Sequence, residues 1–116
     1  MKMALVVKTN EPGKLLTNIK EEIQNGNIDT WKIDNDGDYT HSPEQWCNKA
    51  WFHEYSQDND RNILRFGIIG NQKRKMTSGL YAIYHARFLE MLLSYFDEMI
   101  ENIQITSNGE RPWGVF

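Results

Sequence analysis

Apolar positions along the chain follow two rhythms, one of period two and one near 3.6, and their alternation outlines the elements. Met3 to Val7 is an unbroken apolar run closed by Lys8 and Thr9, the pattern of a strand covered on both faces. Leu15, Leu16, Ile19 and Ile23 then recur at helical spacing. Asn10 is positioned to cap that helix, Pro12 suits its first turn, where the missing N–H costs nothing, and Gly26 can close it in the left-handed conformation.

Trp31 and Ile33 alternate before an Asp-Gly turn, and Tyr39 and His41 alternate after it, which predicts a hairpin. Two loops compete. A two-residue Asp36-Gly37 turn pairs Asp34 with Tyr39 and mixes polar with apolar residues on each face. A three-residue Asn35-Asp36-Gly37 loop, with Gly37 left-handed, pairs Ile33 with Tyr39 and Trp31 with His41. The second register gives one coherent apolar-aromatic face and is preferred. It sets Asp34 opposite Asp38, a like-charge pair costing about 0.2–1 kcal/mol that solvent can absorb at a hairpin tip.

Ser42, Pro43 and Gln45 read as a helix start, with serine as cap and glutamine reaching back, so a short helix is expected over 43–49. The stretches 50–57 and 62–70 are rich in aromatic and β-branched residues and should form an antiparallel pair. From Thr77 or Ser78 a helix of about six turns follows. Projection at 100° per residue gathers Tyr81, Tyr84, His85, Phe88, Leu89, Met91, Leu92, Leu93, Tyr95, Phe96, Met99 and Ile100 into an arc of roughly 200°. That exceeds the stripe one sheet face covers, so part of the helix should be covered by something else. Residues 102–108 supply a last strand, and 109–116 a tail carrying Trp113 and Phe116.

The order is that of an α+β, two-layer, ferredoxin-like βαββαβ antiparallel sheet with an inserted β-hairpin and short helix, its long C-terminal amphipathic helix packed on the sheet. The NEPGKLL stretch from Asn10 to Leu16 resembles the Pro-Gly-x-Leu junction of ACT-type regulatory domains over a handful of residues. A proline-glycine pair at a strand-to-helix junction has a local steric cause, so no membership is drawn from it.

Composition narrows the function. A chain of 116 residues suits one domain, read here as 1–108 plus the tail, burying roughly two thirds of its unfolded surface. The net charge of -3 gives little support for phosphate-driven association, so nucleic acid is an unlikely partner. Cys47 is the only cysteine, which excludes an intrachain disulfide and fits a reducing, cytoplasmic, bacterial-type setting. The apolar run at the start is too short for a signal peptide or a membrane span.

Five groups of residues could carry chemistry. Asp34, Asp36 and Asp38 could hold a cation, though the EF-hand pattern fails, since Lys32 and Pro43 fall on ligand positions. His41, Glu44 and His53 would suit a metal or acid-base catalysis if they met, and His85 with Tyr81 could line a pocket between sheet and long helix. Lys73, Arg74 and Lys75 precede the long helix, where an anion could bind. Tyr84, Met91, Tyr95, Trp113 and Phe116 supply the aromatic and methionine contacts of an interface. The expectation is a small binding module acting through protein contact or self-association as a homodimer, with no catalytic residue and no cofactor. A small-molecule-binding regulatory domain and a metal-assisted hydrolase are the alternatives.

Overall fold

The structure, a computed structural model, describes residues 2–55, 61–73 and 75–107. Its strands are β1 (Lys2–Lys8), β2 (Trp31–Ile33), β3 (Tyr39–His41), β4 (Ala50–Glu54), β5 (Ile63–Gly70) and β6 (Asn102–Ile105). Its helices are α1 (Pro12–Gln24) and α2 (Ser78–Phe96), the latter running into a 3-10 turn at Asp97–Met99. The strands form one six-stranded sheet in the order β2-β3-β4-β5-β1-β6, every neighbouring pair antiparallel. The fold is therefore α+β with a long helix, and its strand order differs from that of a four-stranded ferredoxin-like sheet.

Strand alternation sets the layers. Leu5 and Val7 of β1, Ala50 and Phe52 of β4, and Leu64, Phe66 and Ile68 of β5 turn to one side, where they share a core with Leu15 and Ile19 of α1 and Phe88 and Leu92 of α2. Phe88 is the hub of that core. Its ring centroid lies 4.4 Å from Phe52, 5.0 Å from both Trp31 and Phe66, and 6.1 Å from Tyr39. One side chain thus ties α2 to four strands, with tilted and edge-on ring geometries that favour aromatic pairs.

The hairpin takes the three-residue loop. Trp31 pairs with His41 and Ile33 with Tyr39, Gly37 has φ +83°, and the Asp34 amide donates to the Asp38 carbonyl at 2.9 Å. Gly26 is left-handed as well, after the last turn of α1. Other local expectations are corrected. Glu11, not Asn10, occupies the cap position of α1, and no side chain caps that helix. Residues 43–49 form turns rather than a helix: one i to i−4 bond, from the Cys47 amide to the Pro43 carbonyl, is made before Asn48 turns left-handed at φ 60°. Ser42 does not cap, because its hydroxyl donates to the Asp29 carbonyl. Thr77 does cap α2, accepting the Leu80 amide at 3.0 Å. No helix among the described residues is long and apolar enough to cross a membrane.

Candidate functional site

The three histidines are placed by three different elements, and they separate. His41 ends β3 on the helix side of the sheet and is buried, its Nδ1 donating to the Thr30 carbonyl at 2.8 Å and its ring 4.9 Å from Trp31. Burial holds its pKa below the ordinary histidine value, with the Arg87 charge acting in the same direction, so the neutral ring is favoured. His85 lies on the same side, one turn after Tyr81 on α2. Its Nδ1 donates to the Tyr81 carbonyl at 2.8 Å, and its ring stacks on Tyr81 at 4.0 Å and meets Phe52 edge-on at 5.1 Å.

His53 is on the other side, because it alternates with the inward Phe52 along β4. It donates from Nδ1 to Asp38 Oδ1 at 2.6 Å. Glu44 stands exposed on the turn after β3, beside Pro43 and Gln45. The structure thus gathers His41 and His85 around the Phe52 and Tyr84 rings and leaves His53 and Glu44 out of that group. A shared metal or acid-base centre built from His41, Glu44 and His53 would need side chains from both faces of a sheet.

Tyr81 directs its hydroxyl to Thr106, just past β6, donating to the carbonyl at 2.7 Å, and burial raises its pKa. Tyr39 donates to Glu54 Oε2 at 3.0 Å, and Glu54 in turn pairs with Lys20 of α1 at 2.8 Å. Burial and the Glu54 carboxylate push the Tyr39 phenol far above its usual range, so it remains a donor. These contacts tie the hairpin to β4 and α1.

At the hairpin tip, Asp34, Asp36 and Asp38 each offer a carboxylate oxygen, all within 4.8 Å of one another. Their like charges are absorbed differently from the expectation of a solvated pair. Asp34 Oδ1 accepts the amides of Asp36 and Asp38, each at 2.9 Å, while Asp38 is buried and turned toward His53. A cation there would compete with those partners.

Among the described residues, clefts also open at the two ends of α2. One of about 640 Å³ lies at the C-terminal end of α2 among Asn18, Glu22 and the run from Ser94 to Met99. The other, about 540 Å³, lies at the N-terminus of α2 between Trp46, Lys49, Lys75, Thr77, Gly79 and Leu80. No histidine lines either cleft. Lys75 of the basic segment borders the second, whereas Arg74 lies outside the described residues.

The expected interface residues divide. Tyr84 and Met91 are core side chains, at 0% and 3% exposure, because the hairpin widens the sheet and Trp31 and Thr40 reach Tyr84. Tyr95 is 54% exposed. Trp113 and Phe116 lie outside the described residues. Leu93, placed inside the apolar arc by helical projection, is instead 42% exposed, and Leu89 is only half-buried. Compared with protein-family models, with curated proteins and with solved structures, the chain matches none.

Proposed function

We propose that the protein is a small cytoplasmic binding module that acts through protein contact or self-association and has no catalytic activity of its own. The carrying observation is the unequal treatment of polar and apolar groups. The side chains of His41, His53, His85, Tyr39, Tyr81 and Tyr84 are tied to partners within the chain, while Leu93 and Tyr95 of α2 and Ile105 of β6 are left 42%, 54% and 43% exposed. Large apolar side chains held on regular elements are what protein partners cover. The alternative, a regulatory domain with a pocket around His85, finds less support, because the rings of Phe52, Tyr81 and Phe88 occupy that space.

We also read β4-β5-β1-β6 with α1 and α2 as a ferredoxin-like core extended by the β2-β3 hairpin. The support is the run of those four strands in the sheet order and the crossing of α1 and α2 between non-adjacent positions in it. That architecture serves many activities, so it adds nothing to the functional choice.

Light scattering across a concentration series, run beside a thermal-shift panel of metals and metabolites, tests the functional reading. A mass that rises with concentration and a melting temperature deaf to the panel support it. A concentration-independent monomer whose melting temperature responds to a metal or metabolite would replace it with a ligand-binding role.

A further inference from the structure

We propose that the protein self-associates head to tail, the acidic end of α2 in one copy docking in the basic cleft at the start of α2 in the next. The inference rests on the binding-module reading and names its surfaces and partner.

The two clefts at the ends of α2 are opposite in charge. Glu22, Asp97 and Glu98 are the charged side chains lining the C-terminal cleft, and Lys49 and Lys75 are those lining the N-terminal one. Among the described residues, no ion pair uses any of these five side chains. Glu22 accepts a hydrogen bond from Asn27 at 3.0 Å, and the Lys49 ammonium lies over the Trp46 ring, 5.5 Å from its centroid. The charges also run against the helix, since carboxylates are favoured at a helix N-terminus and cations at its C-terminus. In α2 the first turn has no acidic residue and the last turn no basic one. Lys75 stands three residues ahead of Ser78, and Asp97 and Glu98 follow Phe96 directly. Each set therefore adds to the helix pole beside it, and one chain is an electrical dipole with poles about 28 Å apart.

That arrangement selects a second copy as the partner. Docking the acidic end of one chain in the basic cleft of the next sets Asp97 and Glu98 against Lys49 and Lys75 and against the positive pole of a helix, where carboxylates are favoured. A lysine entering the acidic cleft meets the Tyr95 ring, 54% exposed, beside the carboxylates, a combination that holds ammonium groups. Apolar side chains line both clefts, Met99 in one and Leu80 in the other, so the contact also covers apolar surface. The two ends are different surfaces, so every pair leaves one end of each kind free and the assembly is open-ended. Exposed ion pairs are individually weak and screened by salt, so the association should be weak and strongest at low ionic strength.

Sedimentation velocity of the full chain over a concentration series, at ionic strengths of about 0.01 M and about 0.15 M, tests this. A net charge of -3 makes copies repel, and that repulsion grows as salt falls, so a gain in mass at low salt requires opposite charges in contact. At the lower ionic strength the weight-average mass should rise past that of two chains, and at the higher one the association should weaken at least about tenfold. Lys49→Gln with Lys75→Gln removes the basic end, and Asp97→Asn with Glu98→Gln removes the acidic end. Each double variant alone should stay a monomer whose melting temperature does not fall, since the lost charges opposed the helix dipole. An equimolar mixture of the two should form dimers and stop there, because one intact contact remains. A wild-type monomer at every concentration and both ionic strengths overturns the proposal, together with the self-association form of the binding reading. A wild-type mass that stops at two chains overturns the head-to-tail contact. So does association that survives both double variants or ignores salt, although self-association then stands and another surface carries it.

Discussion

Replacing Tyr84 with phenylalanine isolates one hydroxyl at the junction of α2, the hairpin and the turns before β4. The ring is fully buried against Trp31 and Phe52, and phenylalanine keeps that packing. The hydroxyl donates to the Trp46 carbonyl and sits 3.1 Å from Thr40 Oγ. Thr40 has one proton, and it is directed to the Ala50 carbonyl at 3.0 Å while its oxygen accepts the Asn48 amide at 3.0 Å. With both protons committed to carbonyls, Tyr84→Phe removes one hydrogen bond, while the Trp46 carbonyl keeps the Lys49 amide at 3.3 Å, a cost of about 0.5–1.5 kcal/mol. For a domain of this size that lowers Tm by roughly 2–6 °C. Urea unfolding followed by tryptophan fluorescence should show a lower midpoint at unchanged slope. In a double-mutant cycle with Thr40→Val, the coupling should stay below about 0.5 kcal/mol. A cost for Tyr84→Phe below about 0.3 kcal/mol, or a coupling above about 1 kcal/mol, would refute the proton assignment.

Gly37→Ala should destabilise by about 1 kcal/mol through backbone strain alone, since φ is +83° and nothing lies within 4 Å of the added methyl; an unchanged urea midpoint would disprove the left-handed turn. His41 has a folded pKa below its unfolded value, so the unfolded chain binds more protons in between, and stability should fall as pH drops from about 6.5 toward that lowered value. His41→Gln should flatten that part of a Tm-against-pH curve, and an identical slope in wild type and variant would assign it to other groups. Millimolar calcium should leave Tm unchanged, because Asp34 and Asp38 already have partners in the chain; a rise that Asp38→Asn abolishes would put a cation at the hairpin tip.

The hairpin register was legible because two local signals agree: alternation demanded one apolar face, and only a three-residue loop ending in glycine delivers it. The turns at 43–49 were not, since their helix-start residues are drawn elsewhere. Ser42 is taken by Asp29, and Asn48 gives its amide to Thr40, contacts made across the chain that no local pattern encodes. The same limit explains the candidate sites. A helical projection finds His85 and Phe88 inward, but how far the core reaches around α2 depends on how wide the sheet is. The β2-β3 hairpin widens it beside β4, drawing Tyr84 into the core, while Leu93 falls beyond its reach. Whether His41 and His53 could meet was a question of strand parity across two strands whose pairing sequence alone does not state.

Strand β3 is joined to β4 by a single ladder pair, Tyr39 with Phe52, and otherwise by side chains: Tyr39 to Glu54, Asp38 to His53, and the Thr40 hydroxyl to the Ala50 carbonyl. Backbone ladders tolerate almost any sequence, but side-chain ties do not. This margin of the sheet is therefore where point substitutions can peel two strands away and bare the edge of β4, with its aromatic residues, to strands of other molecules. Aggregation of variants at Tyr39 or Tyr84 would begin at that uncovered edge, well before the remaining strands lost their pairing.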